Sequence, residues 1–360
     1  MSNFSKDGGK MYNKLSYWHK ALLSALATAV MMWLLLYSPT PYVIFEPGIA
    51  VPVKPMVDIE QINGEESKGK LLLTAVKLSE PNFFEIIKSA FDRDKEVFYK
   101  YKVFQGQSKK QYAEQLAHVM QGSQNAAIEA AYHFAGIPYS YKLKAISVAA
   151  VKSREEGGEL LHAGDIILGL KGKEQPDSLK DMVQQLKPER SGQTFELEII
   201  RGTEPKDLLV TLDLNVDSEQ WSLEQLADQL GVQTFAEARE LVPAQSDAAI
   251  DIKAGEIGGP SAGLVFALHA IDLLTEGDLT EGLVIAATGT INSTGQVGAI
   301  GGIKQKVVIT SKQGVQLFLV PKANEKEAVA KAKSLHTAMQ VVGVSTLQDA
   351  IAAIHQVKGR

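Results

Sequence analysis

The sequence predicts a mixed α/β (α+β) protein standing behind one N-terminal transmembrane helix, and three observations predict it. The chain has 360 residues, enough for about two domains of roughly 150 residues each. An uncharged, strongly apolar stretch lies near its start. Beyond that stretch, short runs with strand character alternate with segments whose apolar residues recur at helical spacing.

Composition excludes several classes. A hydrophobic fraction of 45% and a charged fraction of 22% suit a folded protein rather than a long disordered one. A net charge of −5 is too mild, and of the wrong sign, for a field built to hold nucleic acid. With no cysteine, disulfides, thiolate metal sites and cysteine nucleophiles are ruled out. The histidines (His19, His118, His133, His162, His269, His336 and His355) show no close metal-ligand spacing, so neither a metal nor another cofactor is expected.

The first element is the apolar stretch. No Asp, Glu, Lys or Arg occurs between Lys20 and Glu46, and Ala21 to Tyr37 is almost wholly apolar. A span of the bilayer core needs about 20 such residues. Trp33 and Tyr37 fall where amphipathic rings favour the outer interface. Residues 1–20 hold Lys6, Lys10, Lys14 and Lys20 against Asp7, so this tail is expected to be cytoplasmic, residues 21–37 an anchor, and everything after Tyr37 extracellular. Pro39, Pro41 and Tyr42 follow in place of a small-x-small cleavage site, which favours an uncleaved single-pass anchor in the cell membrane.

Residues 38–143 read as a mixed membrane-proximal region, expected to lift the later domains off the bilayer. Tyr42 to Leu78 is predicted to be extended with a turn at Asn63-Gly64, Lys70 to Val76 a strand, and Asn82 to Lys88 and Ser108 to Ala135 helical, the latter stopped by Gly136. Over residues 144–215 the pattern is a strand from Lys144 to Val151, an Ala163-Gly164-Asp165 turn flanked by aliphatics, a helix from Ser178 to Leu186, and strands at Thr194 to Arg201 and Asp207 to Leu212. That order resembles PDZ domains over Ala145 to Leu214. The resemblance implies capture of an extended peptide on an open sheet edge. A carboxylate-binding loop would fall near Ile137 to Lys142, where no Gly-Leu-Gly-Phe-type sequence occurs, so recognition of a free C-terminus is not expected.

The chemistry concentrates in residues 225–357. After a strand at Ala248 to Lys253 comes Gly255-Glu256-Ile257-Gly258-Gly259-Pro260-Ser261-Ala262-Gly263-Leu264, then a helix to Leu274. Glycines allow a sharp turn and close backbone approach, and Pro260 pre-sets the first helical turn. Ser261 then sits at a helix start, where N–H groups around Gly259 to Ser261 could hold an oxyanion. The same pattern suits helix capping or a plain anion site. A nucleophilic serine needs a base, and His269 lies roughly 12 Å along the same helix at about 1.5 Å per residue. The alternative is a lysine neutralised by burial. Lys304 follows the apolar, glycine-rich run Thr288 to Ile303; Lys306 is expected to point elsewhere on the helix.

Together, Gly259-Pro260-Ser261-Ala262-Gly263, Thr288-Gly289, Gly295-Gln296-Val297 and Ile300-Gly301-Gly302-Ile303-Lys304-Gln305-Lys306 resemble the proteolytic domain of Lon proteases, as does the spacing of Ser261 and Lys304. The resemblance implies Ser261 as nucleophile, Lys304 as general base and Thr288 as a residue placing the lysine amine. Gly258 stands where the family often carries an acid. No G-x-x-x-x-G-K-[ST] phosphate loop occurs, so no nucleotide is expected. The order of anchor, PDZ-like module and Lon-like domain resembles the membrane-tethered SepM-type proteases of Gram-positive bacteria. It implies an ATP-independent endopeptidase cutting exported peptides or small membrane proteins, with an oligomer possible. The rival reading is a non-catalytic surface receptor or scaffold using the PDZ-like module.

Overall fold

The computed structural model describes residues 7–59, 67–151, 161–202, 204–213 and 221–358. The chain divides into two compact units, one made of Met1–Gly136 with Ile250–Arg360, the other of Ile137–Ala249. The second is inserted into the sequence of the first. The turn expected at Asn63-Gly64 lies outside the described residues.

Helix α1 (Asp7–Tyr37) opens the first unit. Its Tyr17–Tyr37 portion, 21 residues with a mean hydropathy of 1.7 and no burial, is the one helix among the described residues long and apolar enough to cross a membrane. Strands β1 (Tyr42–Pro52), β2 (Val57–Ile59) and β3 (Lys70–Ser79) follow, then helix α2 (Phe83–Ser89), strand β4 (Glu96–Tyr99), helix α3 (Lys100–Phe104) and the long helix α4 (Lys109–Ala135). Local chemistry sets the ends of α4. The Ser108 side chain accepts from the Gln111 N–H while Gln111 accepts from the Ser108 N–H, and Gly136 closes the helix at φ 68°. Asn82 and Glu85 make the same reciprocal cap on α2.

The inserted unit is an antiparallel sheet in the order β8-β7-β6-β5-β9. Its elements are β5 (Tyr139–Val151), β6 (Ile166–Leu170), α5 (Leu179–Gln185), β7 (Gln193–Arg201), β8 (Glu204–Leu212), α6 (Leu223–Leu230) and β9 (Val232–Pro243). Val148, Ile167, Met182, Leu186, Leu197 and Ile199 are central to its core. The Ala163-Gly164-Asp165 turn exists for a physical reason. Gly164, at φ 93°, donates to the Val148 carbonyl, and the buried Asp165 carboxylate takes the His162 N–H and both prongs of Arg201 at 2.9 and 2.8 Å. Burial alone would push this carboxyl up; the Arg201 hydrogen bonds and charge prevail and hold it below its usual range. Residues 139–142 belong to β5 and pair with β9.

Returning to the first unit, the chain adds β10 (Ile250–Ile252), α7 (Gly263–Leu274), β11 (Val284–Ala287), β12 (Thr290–Ile291), β13 (Val297–Gly298), α8 (Ile303–Lys312), β14 (Leu317–Pro321), α9 (Glu325–Ser334), β15 (Gln340–Val344) and α10 (Leu347–Lys358). Six strands form one mixed sheet in the order β15-β14-β11-β3-β1-β4. Here the expected boundaries need correction. Residues 38–143 do not form a scaffold apart from the later chain: β3 pairs in parallel with β11 and antiparallel with β1 at the centre of this sheet. Conversely, β9 pairs along β5 in the inserted unit. Strand pairing is long-range and leaves no local mark, so a linear reading does not reveal that β3 joins this sheet or that β9 lies along β5.

Candidate active site

Ser261 lies in a single 3₁₀ turn, Pro260–Ala262, that leads into α7. Ten consecutive residues of α7, Gly263 to Asp272, are buried, so the turn rides on a core element rather than a free loop. Its backbone is held from three directions. Gly289 N–H and the Thr288 hydroxyl donate to the Ser261 carbonyl at 2.9 and 3.1 Å, and Ser123 on α4 donates to the Pro260 carbonyl at 3.0 Å. Before the serine, Gly259 takes φ 93°, a region other residues avoid. A Cβ at Gly258 would come within 2.9 Å of the Leu116 Cβ. The acid often found at that position in Lon proteases therefore has no room against α4.

The lysine beside the serine is Lys306. Its Nζ is 2.8 Å from Ser261 Oγ, 3.0 Å from Thr288 Oγ1 and 2.8 Å from the Thr74 carbonyl of β3. Proton bookkeeping gives these contacts a direction. The Thr288 hydroxyl proton is committed to the Ser261 carbonyl, and a carbonyl only accepts, so a neutral amine donates to Thr288 and Thr74. Its lone pair is then left for the Ser261 hydroxyl. Burial pushes Lys306 from 10.5 down to about 7, because removal from water penalises the charged amine.

Lys304, expected from the sequence to be the base, is not at the serine, and that expectation is corrected here. Its Nζ pairs with Glu96 of β4 at 2.8 Å and Glu327 of α9 at 3.2 Å, and its side chain is 41% exposed. The hydrogen bonds to Glu96 and Glu327 and the Glu96 charge raise its pKa, so it stays protonated. Two residues on an α-helix differ by about 200° in direction, which sends the two lysines to opposite faces of α8. Gly302, left-handed at φ 68°, starts the helix in the phase that turns Lys306 inward. A signal was present in the sequence: Ile303, Lys306, Val307 and Thr310 sit at i, i+3, i+4 and i+7, the spacing of a buried stripe, and all are buried.

Thr288 contacts the amine of Lys306, not that of Lys304. Gly259 does not offer an oxyanion donor, because its N–H is bound to the Leu116 carbonyl at 2.9 Å. Pro260 has no N–H. The site opens into a cleft of ≈ 680 Å³, whose walls include Phe45 and Ile49 of β1, Val76 of β3, and Tyr112, Leu116 and Met120 of α4. None of these wall residues, nor Thr74, was singled out from the sequence, because all lie far from Ser261 along the chain.

Comparison with known proteins bears on this geometry. Residues 232–356 match the Lon protease (S16) C-terminal proteolytic domain. The Lon protease of Mesomycoplasma hyopneumoniae (strain 232) is 39% identical over 90 residues, covering 25% of this chain and 10% of that protein. The peroxisomal Lon protease homolog 2 of Caenorhabditis briggsae is 33% identical over 130 residues, covering 36% and 16%. Its counterpart in Caenorhabditis elegans is 34% identical over 110 residues, covering 30% and 14%. The chain thus spans less than a fifth of the length of these relatives. Within that shared stretch, the chain carries a Lon protease (S16) C-terminal proteolytic domain, and the similarity supports a serine peptidase.

Proposed function

We propose that this protein is an ATP-independent, membrane-tethered serine endopeptidase in which Ser261 is the nucleophile and Lys306 its general base. The observation that carries the proposal is the 2.8 Å contact between Ser261 Oγ and a fully buried lysine whose pKa is lowered to about 7. Neutral Lys306 takes the hydroxyl proton as Ser261 Oγ attacks the scissile carbonyl. The resulting alkylammonium, still held by Thr288 and the Thr74 carbonyl, returns the proton to the leaving amine. Water, deprotonated by the same amine, then releases the acyl group and regenerates the hydroxyl. The N–H of Ser261, at the head of α7, is the backbone donor best placed for the developing oxyanion once Gly259 and Pro260 are set aside.

An extended substrate suits the cleft. From Thr74 onward β3 pairs with β1 alone, β11 having ended opposite Leu73, and Thr74 to Lys77 line the cavity. This leaves a strand edge beside the serine for a peptide backbone. The inserted unit, read as PDZ-like, would gather exported peptides or small membrane proteins for that edge. Support for the tether is the apolar Tyr17–Tyr37 helix together with the basic residues before it. The test is incubation of the full-length protein, reconstituted in vesicles without nucleotide, with exported peptides. Cleavage that disappears in Ser261→Ala is the expected result. Cleavage by wild type and Ser261→Ala alike would refute the assignment, and absence of cleavage from both would favour a binding-only receptor.

A further inference from the structure

We infer that α2 and the junction of β4 and α3 at Tyr99–Tyr101 form a second, in-plane membrane contact that holds the catalytic unit against the bilayer surface. The inference rests on the tethered reading, because the contact matters only if α1 spans.

The surface is unusual for its chemistry and its place. On α2 and the turn after it, Phe84, Ile87 and Phe91 recur at the i, i+3, i+7 spacing of one helical face and point outward. Phe91 is 86% exposed. A few residues on, Tyr99 and Tyr101 are also exposed, Tyr101 by 79%. Large apolar and aromatic side chains exposed together on one helical face mark a surface that something covers. Tyr99 rests against the Tyr42 ring at 4.8 Å between centroids; among the described residues of the first unit, nothing covers Phe84, Ile87, Phe91 and Tyr101 to the same degree.

Their position names the cover. The Asn82 side chain, which caps α2, also donates to the Leu36 carbonyl in the last turn of the candidate span at 2.9 Å. The Lys100 N–H donates to the Pro41 carbonyl at 2.8 Å. The two aromatic segments are therefore tied to the chain within a few residues of Tyr37, the level at which the span would leave the hydrocarbon. Phe, Tyr and Trp are favoured in that zone, where one end of the side chain is apolar and the other wet. Lys88 and Lys102, both exposed, flank the patch with cations suited to lipid phosphates. With two attachment points instead of one, the unit would lose its freedom to swing about Ser38–Pro41. The Ser261 cleft would then stand at a set height above the lipid.

Absence of native cysteine makes the test direct. Single-cysteine variants Phe84→Cys, Phe91→Cys, Ala29→Cys and Glu276→Cys of the full-length chain are labelled with an environment-sensitive fluorophore and placed in vesicles. The vesicles contain lipids carrying a nitroxide near the headgroup or deep in the acyl chain. Glu276 serves as the distant control, since β1 climbs 11 residues from Tyr42 to Pro52, about 33 Å at 3.3 Å per residue. Pro52 lines one cavity with Asp272, close to Glu276 in the chain. Labels at 84 and 91 are expected to shift to shorter wavelength and to be quenched by the shallow nitroxide at least about twofold more than the label at 276. The label at 29 is expected to be quenched by the deep one. If 29 is quenched while 84 and 91 behave like 276, the surface contact is wrong and the tether stands. Should 29 also escape quenching, the tether falls and takes the contact with it. Shielding of 84 and 91 that grows with protein density but not with nitroxide would mean that a second copy covers the patch, which also overturns the inference.

Discussion

The two faces of α8 carry the same functional group in opposite states. On the inner face Lys306 is dry, meets no acid among the described residues and is poised near neutrality. On the outer face Lys304 is partly wet, paired with Glu96 and Glu327, and held charged. Only the first is fit to accept a proton. Basicity useful for catalysis thus arises from what a lysine is denied, solvent and counter-charge, rather than from the residue itself.

The largest effect expected from this contrast is on turnover. Ser261→Ala and Lys306→Met should each lower kcat/KM by about a thousandfold or more, with the double variant no worse than either, since residues acting as one unit are not additive. Lys306→Arg should fail as well, because a guanidinium stays protonated. Near-normal turnover in Lys306→Met would end the assignment. The pH profile comes next. Because the base must be neutral, kcat/KM should rise with pH through about 7 and then level; a rise beginning only near 10 would mean that Lys306 is not desolvated.

Stability should carry the same signature. Lys306 titrates near 7 when folded and at 10.5 ordinarily. Between those values the unfolded chain binds more protons, so stability should increase with pH across the window. Lys306→Met should flatten that dependence, read as denaturation midpoints at several pH values. Next in size is Gly258→Ala. A Cβ placed 2.9 Å from Leu116 should cost about 1–3 kcal/mol or displace α4, as overpacking does, and should reduce kcat with it. The smallest effect belongs to Lys304→Ala. An exposed ion-paired lysine contributes about 0–1 kcal/mol, and turnover should stay within a few-fold of wild type. A loss comparable to that of Lys306→Met would restore Lys304 to the chemistry.

What the sequence determined by itself is local. It marked the apolar run Ala21 to Tyr37, the helices starting near Asn82 and Ser108, the Gly136 stop, the glycine-proline turn before Ser261, and the Thr288 and double-lysine motifs, because turns and periodicity are written within a few residues of where they act. Which lysine meets the serine was decided by helix phase together with packing, since Lys304 and Lys306 differ by half a turn and only the arrival of β3, with Thr74, shows which side is interior. The tertiary structure alone joined β1, β3 and β4 to β11, β14 and β15 in one sheet and placed α4 along the cleft. Strand pairing and helix docking depend on surfaces brought together from more than a hundred residues away, through contacts such as Ser123 to Pro260 at a separation of 137, and no short window of sequence contains both partners of such a contact.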